Sequence, residues 1–121
     1  MAGINRFEDV QAWQKARKLV AEIYKMCSQE TVSKDFGFRN QICRAAISSM
    51  NNIAEGWARK SDRDFAHFLD VARGSVTEVQ SMLYVAYDIS YIEEAQREKL
   101  YQLAAETASL ISGFTTYLRR K

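Results

Sequence analysis

Apolar residues recur along this chain at spacings of three and four, the period of one face of an α-helix, in four long runs. In the first run Trp13, Ala16, Val20, Ile23 and Cys27 form the stripe. Ala12, Leu19 and Met26 widen it, and Lys15, Lys18, Glu22 and Lys25 occupy the other side. The pattern predicts a first helix from about Glu8 to about Ser28. Ser28 to Ser33 reads as a loop, with Ser33 as the N-cap of the second helix. Phe38, Ile42, Ala45, Ala46, Ser49, Ile53 and Gly56 mark that second helix, from about Lys34 to about Ala58. Its small residues, Ala45, Ala46, Ser48 and Ser49, leave room for a neighbouring backbone. Arg59 and Lys60 come at its end, where cations complement the helix dipole.

A third helix is predicted from about Asp62 to about Ile89. Phe65, Phe68, Leu69, Ala72, Val76, Val79, Leu83 and Ala86 form its stripe, and Ser61 with Asp64 resembles a capping box. Gly74 sits mid-helix at a cost of about 1 kcal/mol relative to alanine, which suggests close packing there. The fourth helix is predicted from about Glu93 to about Leu118, capped by Ser90 and Glu93. Leu100, Leu103, Ala104, Thr107, Leu110, Ile111, Phe114 and Leu118 face inward.

Proline is absent, which favours long uninterrupted helices. No linker or low-complexity segment divides residues 1–121, so the expectation is a single domain. Four helices with short connections give an all-α, antiparallel up-down-up-down four-helix bundle. Its third helix would be roughly 40 Å long, so the bundle is elongated.

Composition narrows the class without naming a reaction. Hydrophobic residues make up 47% and charged residues 26%, an ordinary globular balance. The net charge of +2 is too small to demand an anionic partner. The sequence pI of 8.6 falls below the value above about 9 expected of a nucleic-acid module. Cys27 and Cys43 fall on apolar helical faces without a CxxC neighbour, and read as free, buried thiols of a reducing compartment. The start of the chain lacks the apolar segment of a signal peptide, and no run approaches a membrane span. A cytoplasmic location with no membrane partner is expected.

Catalytic and metal chemistry has little to rest on. The single histidine, His67, reads as a solvent-facing or boundary residue. No Glu-x-x-His pair supports a di-iron bundle, the five glycines form no phosphate cradle, and no Ser or Cys stands in a nucleophile motif. The expectation is a non-enzyme with no cofactor, no catalytic residue and no metal site.

One stretch stands out. Asn51, Asn52, Glu55 and Gly56 end an otherwise apolar helix, where asparagine has weak propensity and a carboxylate opposes the dipole. Glu55 therefore needs a partner, and Arg59 four residues on is well placed. The first reading is a polar latch, with Asn52 and Glu55 bonding turn donors and Gly56 admitting the next helix. A subunit interface or channel lining is the second, and a ligand or RNA contact the third. Trp57 is either a satellite core residue or an interface anchor. Tyr84, Tyr87, Tyr91, Tyr101 and Tyr117 exceed what the core can take, so apolar surface remains for self-association.

The segments FEDVQAWQKARKL, FRNQICRAAISSMNNIAEGWAR, DFAHFLDVARGSVTEV and YDISYI occur in this order and spacing. Together they resemble the bacterial four-helix-bundle family encoded within intervening sequences of 23S rRNA genes, over about Phe7 to Leu118. NIAEG (Asn52–Gly56), Arg59 and ARGSVTE (Ala72–Glu78) carry the resemblance most specifically. Family members usually have proline where this chain has Met50. The resemblance implies a ring-like homopentamer with no established enzyme activity. It extends to the accessory variability proteins of diversity-generating retroelements, basic pentamers that bind a reverse transcriptase and nucleic acid.

A ring would repeat each basic patch. Lys15, Lys18 and Lys25 on the first helix, Arg59, Lys60 and Arg63 at the corner, and Arg119, Arg120 and Lys121 at the end are the candidate nucleic-acid contacts. The expected function is therefore a homo-oligomeric scaffold that binds RNA or a nucleoprotein partner. The alternative is a protein-interaction adaptor without a nucleic-acid role, such as an accessory subunit of a reverse transcriptase.

Overall fold

The structure, a computed structural model, describes residues 3–121. Four long helices and one short one account for most of them: α1 (Gln11–Cys27), α2 (Glu30–Ser33), α3 (Phe36–Trp57), α4 (Asp62–Asp88) and α5 (Glu94–Arg120), after a 3-10 turn at Phe7–Asp9. There are no strands among the described residues. Each long helix packs on two others. α1 lies against α3 and α5, and α4 against α3 and α5, so the four form a closed square.

Pairings between distant residues show that neighbours run antiparallel. Gln41 meets Glu78, Ser48 meets Ser75, and Gly56 meets Phe65, so α3 descends as α4 rises. Asp70 pairs with Arg119 and Asp62 with Lys121, which reverses α5 against α4. Cys27 at the end of α1 lies beside Cys43 near the start of α3. At 27 residues, α4 is roughly 40 Å long.

The predicted stripes form the core. Leu19, Ile23, Ile42, Ile53, Leu69, Leu83 and Ile111 are fully buried, with Ala46, Ala72, Ala86 and Ala104 where helices come close. Trp13 belongs to this core. Phe68, Leu103, Leu110 and Phe114 lie at its margin, half-buried.

Helix ends differ from the sequence reading in instructive ways. The first helix starts at Gln11, because Val10 is extended and buried, which separates the 3-10 turn from α1. The Ser28–Ser33 loop holds α2, one turn that carries Val32 into the core. Ser33 is not the cap of α3. Its hydroxyl donates to the Glu30 carbonyl at 2.9 Å, while the Asp35 carboxylate accepts the Phe38 amide at 3.1 Å. Ser61 does cap α4, accepting from the Asp64 amide at 3.1 Å.

The Ser90 and Glu93 capping box does not form. Ser90 has φ of 65°, and the Glu93 side chain accepts no cap bond. Instead the Ser90 amide donates to Tyr87 O at 3.0 Å and the Tyr91 amide to Ala86 O at 2.8 Å. These two bonds close α4 in a Schellman arrangement, with serine at the position glycine usually takes.

Tyr91 then ties this corner to the start of α3. Its hydroxyl donates to Asp35 Oδ2 at 2.6 Å, and its ring stands edge-on to Phe38 at 5.4 Å. The bond holds the Asp35 carboxyl below the usual carboxylate range, helped by the Phe38 amide, and holds the Tyr91 phenol above its ordinary value. A lowered Asp35 adds stability above the unfolded carboxylate range and loses it as pH falls. A raised Tyr91 adds stability below about pH 10 and loses it as pH rises. Tyr91→Phe should therefore lower the melting temperature most between about pH 5 and 9, with the gap to the wild type closing on both sides. Equal melting curves throughout that range would show that the bond contributes nothing.

Gly74 does not mark a close approach. A Cβ built there meets nothing within 4 Å, and the residue is exposed. Gly74→Ala should raise stability by about 0.5–1 kcal/mol in urea denaturation, through helix propensity alone.

Candidate functional site

The end of α3 departs from the polar-latch reading. Asn52 faces back along its own helix, donating to the Ser48 carbonyl at 2.8 Å and the Ser48 hydroxyl at 3.0 Å. The Ser48 and Ser75 hydroxyls are 2.9 Å apart, and Ser75 donates to the Val71 carbonyl at 3.2 Å. A polar chain thus runs from Asn52 across to α4, midway along the α3/α4 packing. Glu55 is exposed and reaches Arg59 at 4.0 Å. An exposed pair at that distance contributes little. Asn51 is also exposed.

What closes the turn is Gly56. It is buried, and a Cβ built there would lie 2.7 Å from Phe65 Cδ1 and 2.8 Å from Phe68 Cβ. The absence of a side chain lets α4 cross α3 at this point. Trp57, half-buried, stands edge-on to Phe65 at 6.3 Å, and Phe65 packs on Phe114 at 5.2 Å. The Arg59 guanidinium lies over the Phe68 ring at 4.6 Å, covering the outer side of the same cluster. Trp57 is thereby a satellite core residue.

The candidate cations fall into two groups. Arg59, Lys60, Arg63, Arg119, Arg120 and Lys121 gather at the end of the bundle that holds the α3–α4 turn and the close of α5. Lys15, Lys18 and Lys25 run along the α1/α5 flank, where Lys18 and Lys25 border clefts shared with Glu22 and Lys99. Several are already neutralised. Arg119 pairs with Asp70 at 2.6 Å, Lys121 with Asp62 at 3.1 Å and Lys15 with Glu106 at 3.9 Å. Among the described residues no ion pair forms at Lys18, Lys25, Lys60, Arg63 or Arg120. His67 is exposed beside Asp70 and Arg63, in a shallow cleft between α4 and the end of α5.

A second stripe runs along α4, and the sequence reading misses it. Phe68, Val71, Ser75, Glu78, Met82, Val85 and Ile89 repeat at three and four, about a quarter-turn from the core stripe. They lie on the flank that α4 shares with α3. Val71, Val85 and Ile89 are 41%, 45% and 47% exposed, too open for core residues and too regularly placed for scattered ones. Facing them on α3 are Gly37, Gln41, Arg44 and Ser48, which with Ser75 and Glu78 line an open polar cleft of about 530 Å³. The signal is present in the spacing, but the stronger core stripe of the same helix masks it.

A family model for the 23S rRNA-intervening sequence protein matches residues 8–113. The chain belongs to this family. The corner at Asn51–Arg59 and the whole of α4 lie inside the matched segment, whereas Arg119, Arg120 and Lys121 lie beyond it. A crystal structure of a protein of unknown function from the S23 ribosomal protein family of Bacteroides thetaiotaomicron has the same fold, with a TM-score of 0.75. The two chains are 26% identical, over 83% of this chain and 94% of that one. No curated protein matches the chain. α3 runs unbroken through Met50. Among the described residues no helix is long and apolar enough to cross a membrane.

Proposed function

We propose that the chain is a non-enzymatic, homo-oligomeric scaffold whose protomers join through the outer stripe of α4. The observation that carries this reading is the exposed row of Val71, Val85 and Ile89, flanked by Phe68 and Met82. Exposed apolar side chains on one helical line are the ordinary mark of a docking surface. A ring needs two different faces that fit each other. The α1/α5 flank, opposite the stripe, offers a second one: a cleft of about 470 Å³ lined in part by Ile4, Leu110 and Phe114. A homopentamer is the assembly that the family resemblance implies.

In such a ring the cations free of intramolecular pairs, Lys60, Arg63 and Arg120, recur at one end of each protomer. Repeated in this way they would bind RNA or a nucleoprotein partner through its phosphates. The pairing of Arg119, Lys121 and Lys15 with local carboxylates favours the second reading, a protein adaptor without a nucleic-acid role.

Two measurements test this. Light scattering should give a particle mass that is a multiple of 13.9 kDa. A monomer at working concentration would end the scaffold reading. Binding to a generic structured RNA should weaken steeply with salt, and Lys60→Glu with Arg63→Glu should weaken it further at fixed salt. Absent or salt-independent binding by an intact oligomer would leave the adaptor.

A further inference from the structure

We propose that Cys27 and Cys43 form a dithiol pair that sustained peroxide closes to an intramolecular disulfide, a modification site that staples α1 to α3. The two sulfurs lie 3.7 Å apart although the residues are 16 positions apart in the chain. Both thiols are reduced and buried. Cys27 is the last residue of α1, where the chain leaves the helix for Ser28 and Gln29. Closing a disulfide requires this separation to shorten to ~2.05 Å.

The pairing is unusual for buried cysteines, which ordinarily serve as isolated small apolar groups. Here the Cys43 thiol lies within reach of an S–H···S bond to Cys27. Their roles differ. Cys27 is pushed up to about 12 by burial first, then by the charge of and hydrogen bond to Cys43. Burial also raises Cys43, but there the Cys27 hydrogen bond opposes the rise, and the Arg39 guanidinium lowers both thiols. Cys43 is also the more exposed of the two, at 6% against 3%. In the proposed step Cys43, the less strongly raised and slightly more exposed thiol, attacks and Cys27 resolves.

The oxidant is a peroxide. The Cys43 thiolate attacks one peroxide oxygen, the O–O bond breaks, and a sulfenic acid forms as the first water leaves after protonation. The Cys27 sulfur then displaces the sulfenic oxygen. The S–S bond forms, the S–O bond breaks, and the Cys27 proton leaves with that oxygen as the second water. Two thiols and one hydrogen peroxide give one disulfide and two waters. The raised thiols make the step slow at neutral pH. The staple thus records sustained oxidation, and a thiol reductant reverses it.

The test uses the wild-type protein treated with hydrogen peroxide, followed by denaturation and alkylation of remaining thiols. The expected product has lost two hydrogens in intact mass and takes up no alkyl groups. Its digest yields one disulfide-linked peptide pair, joining Cys27 to Cys43, and the intact product melts about 5–10 °C higher until dithiothreitol is added. Cys27→Ala should show neither the linkage nor the rise, and should accumulate sulfenic or higher acids at Cys43. Two alkylatable thiols after treatment, or disulfides only between separate chains, would overturn the proposal. So would a linked product that melts no higher than the reduced protein.

Discussion

Gly56→Ala is expected to destabilise the protein by about 2 kcal/mol, seen as a lower urea midpoint with an unchanged slope. The sign is not obvious from helix propensity, which favours alanine by up to about 1 kcal/mol. Packing decides it. The added Cβ would lie 2.7 Å from Phe65 Cδ1 and 2.8 Å from Phe68 Cβ. The Phe65 ring is held between Trp57 and Phe114, so it has no free rotamer to retreat into. The Phe68 Cβ is fixed to the backbone, so relief there requires α4 to move away from α3. Overpacking of this kind costs about 1–3 kcal/mol or more, which outweighs the propensity gain. Gly74→Ala is the matched control, with the opposite sign expected. If both variants were equally stabilised, the close crossing at Gly56 would be wrong.

If protomers join through the α4 stripe as proposed, the double variant Val85→Lys, Ile89→Lys should be a 13.9 kDa monomer that is still fully helical. Both side chains are close to half exposed and outside the core, so the protomer should keep its fold. At an interface they would be desolvated. Each buried aliphatic side chain contributes on the order of 1.5–3 kcal/mol, and two unpaired ammonium groups in its place reverse the sign. Light scattering reads the mass and circular dichroism the helicity. Tyr24→Lys changes an equally exposed aromatic on α1 and should leave the mass alone. An oligomer of wild-type mass in the double variant would move the interface away from the α4 stripe.

The corner residues show how far the sequence can be read. Composition alone marks Asn51–Arg59 as unusual, and the family membership rests in part on that stretch. The polar latch expected there differs from the observed contacts. Asn52 bonds Ser48 and not the turn, and Glu55 is solvated, whereas Gly56 admits the next helix as expected. The difference arises because a helix residue can turn its polar atoms back to the preceding turn, a choice that spacing does not reveal. The two glycines make the same point. Gly56 and Gly74 look alike within their helices, but only one has another helix lying on it.

The basic residues are a third case. Charge is legible, but net potential is not. Arg119 is answered by Asp70 and Lys121 by Asp62, across a helix pair and about fifty to sixty positions of chain. The pairing exists only once α4 and α5 lie antiparallel.

What the sequence determined by itself was the part governed by local chemistry. Hydrophobic period, missing proline and the Ser61 cap specified four long helices, their order and their buried faces, because each depends on residues within a turn or two. The tertiary structure alone decided which glycine is essential, which cations remain unpaired, and which second face of α4 stays bare. It also decided that Cys27 meets Cys43. Each of these depends on a neighbour supplied by another helix, and such a neighbour has no position until the helices have packed.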